Sequence, residues 1–180
     1  AFCAYTGLLE TSLLSDPDGT LHQELGLYPG LSLSVPGFNS RQNAWLNLLL
    51  MCAGIGSPGT LSEVYRGNLG ARTAPQLIQD DEVVRAAPLP PIKGEFFKRA
   101  GGKGFQRPFE LATLRLRNMA EVLSQWQTYV PDVSHITQRG ATYVIAGNSV
   151  VYAHRDRNIL GFATNMSRPL SFLSELDLSQ

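Results

Sequence analysis

The chain has 180 residues, with 15 Lys and Arg against 15 Asp and Glu; 43% are hydrophobic and 17% charged. That length fits one domain and lets about 70% of the unfolded surface be buried without covalent staples. Zero net charge excludes bulk nucleic-acid binding, which needs a cationic surface to displace counterions, and ordinary hydrophobic content excludes whole-chain disorder.

Taken in chain order, Ala1 to Thr6 reads as the tail of a helix closed by Gly7 in a left-handed cap. Ser12 to Ser15 reads as a short strand. Asp16 and Pro17 open a helix, Asp16 at its N-cap and Pro17 in its first turn, which runs through Leu21 and Leu25 to Gly26. Residues 27–40 hold too much Pro and Gly for a regular element. Ser40 is placed to cap a helix through Trp45, Leu48, Leu49 and Cys52 that breaks at Gly54, and a shorter helix spans Thr60 to Arg66.

Residues 70–107, with Pro75, Pro88, Pro90, Pro91 and three glycines at 101, 102 and 104, read as an excursion from any regular core. A loop that long in a compact domain usually has a function. Pro108 sits where a first-turn proline belongs, and Ala112, Leu116, Met119, Ala120, Leu123 and Trp126 recur at helical spacing, with Arg115, Glu121 and Gln125 facing out. After Pro131 the period changes. Ala141 to Ile145 and Val150 to Ala153 flank Gly147-Asn148, a hairpin signal. Ser167 caps a last helix from Pro169 to Leu176. Helices around a hairpin predict a mixed α/β layer fold.

The most apolar stretch, Ala44 to Ile55, carries Asn47 and falls short of the about 20 residues of a membrane helix. No transmembrane segment or signal peptide is expected. The first residue is Ala rather than Met, which predicts a processed chain or an interior portion of a longer one.

Charge is split along the chain. Residues 1–90 hold four basic and eight acidic residues and residues 91–180 eleven and seven, so the halves carry −4 and +4, a dipolar surface suited to docking. Lys93, Lys98, Arg99, Lys103 and Arg107 cluster against Glu95 alone, interleaved with Phe96, Phe97 and Phe105. Cations on glycine-rich backbone suit a protein partner or an anion. The phenylalanines either pin the segment to the core or leave a pigment or lipid contact open.

Gly54-x-Gly56-x-x-Gly59 has the form of a dinucleotide fingerprint, but a helix rather than a strand precedes it and Pro58 lies inside it, so a loop between helices is expected. His22, His135 and His154 are far apart, with no metal-binding pair among them. Asn165-Met166-Ser167 has the form of a glycosylation sequon. Cys3 and Cys52 are too few for a disulfide framework or a four-ligand zinc site. Both fall late in helices, where carbonyl dipoles disfavour a thiolate, so both read as small core hydrophobes rather than nucleophiles. No catalytic residue, metal or cofactor is assigned.

Ala1 to Leu8, Leu14 to His22 and Leu25 to Leu27 resemble the middle of peroxiredoxin-like proteins of the alkyl hydroperoxide reductase/thiol-specific antioxidant superfamily. The hairpin from Gln138 to Ile145 and Val151 to Arg155 resembles that fold's two late antiparallel strands, and Lys103 to Trp126 resembles its cyanobacterial and plastid versions. The likeness is weakest through residues 28–95. It implies a thioredoxin-like fold, a mixed sheet flanked by helices, with 27–107 largely an insertion. Residues 1–180 would form a single domain incomplete at its N-terminus, lacking the strand–helix unit that carries the redox cysteine.

No position here matches that cysteine. The hairpin is preceded by Thr137-Gln138-Arg139-Gly140 without the proline common in thioredoxin folds. A sheet without its centre leaves edges and apolar faces uncovered, so the isolated chain is expected to be poorly stable unless preceding residues or a partner cover it. The resemblance thus implies a non-catalytic structural or protein-binding subunit, located in the chloroplast within a photosynthetic complex, peripheral to a membrane and bound to other protein subunits. The alternative is a thiol-dependent antioxidant oxidoreductase whose Cys-x-x-Cys lies upstream of Ala1, with a cytoplasmic location as the alternative to the plastid.

Overall fold

The computed structural model describes residues 2–176. Helix α1, Phe2–Thr6, ends where the Gly7 amide donates to the Cys3 carbonyl at 2.8 Å, with Gly7 at φ 76°. The strand expected at Ser12–Ser15 is absent. A 3-10 turn, Glu10–Ser12, leads into extended backbone with no neighbouring strand among the described residues.

Helix α2, Thr20–Glu24, starts later than Asp16 and Pro17 suggested. Gly19 takes a left-handed conformation and interrupts the helix there, while the Asp16 carboxylate accepts from the His22 amide at 3.1 Å. Residues 27–39 contain no regular element, as expected.

Helix α3, Ser40–Cys52, is capped one residue earlier than expected. The Asn39 side chain accepts from the Gln42 amide and the Gln42 side chain accepts from the Asn39 amide, both at 2.9 Å. This reciprocal cap satisfies two orphan donors at once. The expected apolar face is not the packed one: Leu49 and Cys52 are exposed, and Asn47 and Met51 are buried.

The reason lies in segment 31–35, which runs extended along α3. The amides of Val35, Leu33 and Leu31 donate in turn to Asn43 Oδ1 at 2.9 Å, Asn47 Oδ1 at 3.0 Å and Met51 Sδ at 3.4 Å. Asn47 Nδ2 returns a bond to the Leu33 carbonyl at 2.9 Å. Four residues of helix rise about 6 Å and two extended residues about 6.6 Å, so the two rows stay in step. Side chains of a helix thus replace a neighbouring strand for an irregular segment.

Helix α4, Thr60–Leu69, runs beyond the expected Arg66 and packs on α6, Glu110–Ser124. Helix α6 does not begin at Pro108 because Phe109 is left-handed at φ 68°, its amide donating to the Gly67 carbonyl at 2.9 Å. Met119 and Leu123, expected inside, are more than half exposed, whereas Glu110 and Thr113 are buried. Arg115, expected outside, is half-buried against Glu63. At Gln125 the chain turns into α7, Trp126–Tyr129, and the Trp126 ring stacks on Trp45 of α3 with centroids 5.2 Å apart.

The stretch expected as an excursion carries the buried apolar cluster. Strands β1, Val83–Val84, and β2, Ile92–Lys93, pair antiparallel, and α5, Glu95–Arg99, follows. Ile78, Val84 and Phe97 are almost fully buried, with Ile92 and Leu114 packed against them. Glycine here folds the chain tightly rather than loosening it. The Gly94 amide donates to the Glu82 carbonyl at 2.8 Å, and a Cβ at Gly94 would lie 1.8 Å from the Gln79 carbonyl oxygen.

The hairpin forms as expected, β3 being Ala141–Ala146 and β4 Ser149–Arg155, with Gly147 at φ 57°. A bulge lies between Val144, paired with Tyr152, and Ile145, paired with Val150. The expected helix from Pro169 is only a 3-10 turn, Ser171–Ser174. Asn165 Oδ1 accepts from the Ser167 and Arg168 amides, so Asn165 rather than Ser167 organises this bend. The architecture is mixed α/β. Among the described residues the strands form two separate two-stranded sheets, and no helix is long and apolar enough to cross a membrane.

Candidate functional site

The basic segment divides into a surface part and a buried part. Lys93, Arg99 and Lys103 are exposed and Lys98 is half-buried. Arg107, grouped with them in the sequence, has no solvent exposure. Its Nε donates to Glu110 Oε1 at 2.5 Å, one terminal nitrogen donates to Asp80 Oδ1 at 2.8 Å, and the other donates to the Ile78 carbonyl. Its guanidinium also lies 5.9 Å from the Phe97 ring centre, a cation–π distance. Glu110 Oε2 accepts from the Leu77 amide at 3.2 Å and the Arg107 amide at 3.3 Å. A planar guanidinium with several donors suits such a buried pair, where every lone pair must be satisfied.

Lys103 Nζ lies 3.1 Å from Asp80 Oδ2. The Lys103 ammonium, and then Arg107, hold the Asp80 carboxyl below its ordinary range, and Asp80 in turn raises Lys103. The three phenylalanines are dispersed. Phe97 is in the core, Phe96 is exposed, and Phe105 is half-buried under the Arg72 guanidinium at 4.8 Å.

The Gly54–Gly59 loop joins two helices, as expected, and holds the chain after the hairpin. Buried Ser57 Oγ accepts from the Ile159 amide at 2.7 Å, and Thr60 Oγ1 donates to Asn158 Oδ1 at 3.1 Å.

Cys3 is half-buried in the five-residue α1, and its carbonyl accepts the Gly7 cap. Cys52 is the last residue of α3 and is exposed, contrary to its expected core position. Its surroundings nevertheless remove enough water to push the thiol up, more than the Arg139 guanidinium pulls it down. Cys3 stands in the first turn of α1 rather than late in a helix as expected, whereas Cys52 stands at the carbonyl end of α3, away from the amide end where a thiolate is stabilised.

Near β4, burial raises the Asp156 carboxyl against the opposing pull of His154 and Arg139. His154 Nε2 is 3.0 Å from Asp156 Oδ1 but off the line a hydrogen bond needs, so that oxygen lacks a donor among the described residues. Among those residues no group of three His, Cys, Asp or Glu is placed to hold a metal ion.

A cleft of about 980 Å³ opens between α6, the chain around residues 72–77 and the bend at 160–174. Five arginines line it: Arg66, Arg72, Arg115, Arg117 and Arg168. Glu63 pairs with Arg66 at 2.8 Å and Arg115 at 3.5 Å. Arg72, Arg117 and Arg168 make no ion pair among the described residues. Sequence reasoning missed this site because its arginines come from separate elements. The local signal was Arg115-Leu116-Arg117 on one helix.

The described elements define a mixed α/β protein whose last regular strands form an antiparallel hairpin. Residues 1–158 match the family described as AhpC/TSA antioxidant enzyme, and the chain belongs to that family. Membership implies a thioredoxin-like fold, in line with the resemblance read from the two ends of the sequence, and the match continues through residues 28–95 where that likeness was weakest. No curated protein and no solved structure matches the chain.

Proposed function

We propose that this chain is a non-catalytic peroxiredoxin-like domain serving as a structural or protein-binding subunit. The placement of Cys52 carries the reading: it is the last residue of α3, at the carbonyl end, and is pushed away from the thiolate form that attacks peroxide. Exposed Lys93, Arg99 and Lys103 supply a cationic docking face, with Lys98 beside them. A plastid location and a photosynthetic partner rest on the resemblance of Lys103 to Trp126 alone, so they belong to the proposal as analogy.

The test is consumption of hydrogen peroxide and of tert-butyl hydroperoxide with dithiothreitol as reductant. The chain and its Cys3→Ser/Cys52→Ser variant are expected to match the protein-free rate. Turnover that disappears in either single serine variant would overturn the reading.

Family membership favours a second reading, a thiol-dependent antioxidant oxidoreductase with its redox Cys-x-x-Cys ahead of Ala1. Intact mass and N-terminal peptide mapping of the protein isolated from its source separate the two. A peptide with that cysteine pair, together with peroxide turnover by the isolated protein, selects the enzyme.

A further inference from the structure

We infer that the arginine-lined cleft binds a small amphipathic anion, a carboxylate or phosphate head on an apolar body. The inference goes beyond the function proposed above and does not depend on it. Charge is the first observation: three of the five lining arginines, Arg72, Arg117 and Arg168, lack a carboxylate partner among the described residues.

Donor supply is the second. Arg72, Arg117 and Arg168 come from separate elements and line one cleft, so a carboxylate or phosphate held there accepts from several guanidinium donors together.

The apolar part of the wall sets the rest of the ligand. Leu111 on one side and Phe162 and Leu170 on the other line the same cleft. Phe162 and Leu170 are more than half exposed, so a hydrocarbon body laid there would remove apolar surface from water. A fully hydrated inorganic anion would use the arginines and leave this wall wet.

The wall at 160–174 lies beyond residues 1–158, so the cleft joins the family domain to a segment outside the family match. Asn165 fixes that segment's bend by accepting from the Ser167 and Arg168 amides at 3.0 and 3.3 Å. Arg168 is thereby placed at the rim by local structure rather than by an ion pair.

Calorimetric titration of the intact chain tests this with octyl phosphate and octanoate as probes, against inorganic phosphate and octyl glucoside. Saturable one-to-one binding of at least one anionic probe is expected, and the tighter of the two identifies the preferred head. Arg117→Gln and Arg168→Gln should each weaken binding about tenfold, the scale of one charge-assisted hydrogen bond. Phe162→Ser should weaken it several-fold, and Arg41→Gln, at an exposed position on α3 away from the cleft, should leave it unchanged. Arg168 is exposed, so its variant keeps the test valid should Arg117→Gln unfold, with circular dichroism as the check. The inference fails if neither anionic probe saturates. It also fails if inorganic phosphate or octyl glucoside binds as tightly as both, or if Arg168→Gln, still folded, binds like the parent.

Discussion

Residues 76–110 almost fully bury Ile78, Val84, Phe97, Arg107 and Glu110, whereas no residue of the β3–β4 hairpin is buried. The first region is rich in Pro and Gly and poor in periodic pattern; the second has the clearest strand signal in the chain. Ile145 and Val150 of the hairpin remain 66% and 59% exposed. Its main aromatic contact is Tyr152 stacked on Phe172 at 4.1 Å. Regular backbone pairing and burial are therefore separate properties. A two-stranded ribbon satisfies its inner hydrogen bonds without gaining a core, while tight turns close a core with little regular structure.

The largest effect should come from the buried pair. Arg107→Ala leaves Glu110 charged and uncompensated, and is expected to cost roughly 3–5 kcal/mol in urea unfolding. A loss under 1 kcal/mol would show that the network at Asp80, Arg107 and Glu110 does not hold the core.

A smaller effect should follow pH. Because the Asp80 carboxyl is held below its unfolded value, its stabilising contribution is full above about pH 4 and is lost as pH falls through the lower folded value. The difference in melting temperature between the parent and Asp80→Asn should therefore narrow as pH drops from about 6 towards 3. A difference that stays constant would remove Asp80 from the acid response.

The smallest change should be in the hairpin, where Ile145→Thr is expected to shift stability within about 0.5 kcal/mol. A cost above 1 kcal/mol in the isolated chain would mean the hairpin face is covered, and would erase the contrast with residues 76–110.

Much of the local structure was legible. The Gly7 cap, the breaks at Gly54 and after Pro131, and the turn at Gly147 follow from backbone preferences that act within a few residues. Starts and faces were less so. Phe109 adopts a left-handed backbone that no side-chain rule assigns to phenylalanine, and this moved the start of α6. Arg107 and Lys103 look alike in sequence, yet one is sealed against Glu110 and the other is exposed beside Asp80. Composition cannot separate them, because Glu110 beside Arg107 closes over it only together with Ile78 and Asp80 from far earlier in the chain. The cleft was hidden for the same reason, since Arg72, Arg117 and Arg168 meet only through tertiary packing.

The row of Asn43, Asn47 and Met51 against Leu31, Leu33 and Val35 makes this part of the chain a matter of counting. Residue types there are exchangeable wherever another side chain offers an acceptor. The spacing is not. One residue added between Leu31 and Val35 turns the next amide to the opposite side, and one added between Asn43 and Met51 swings the remaining acceptor about 100° around the helix. The segment thus behaves as a gauge that reads insertions and deletions on either element and is nearly blind to composition.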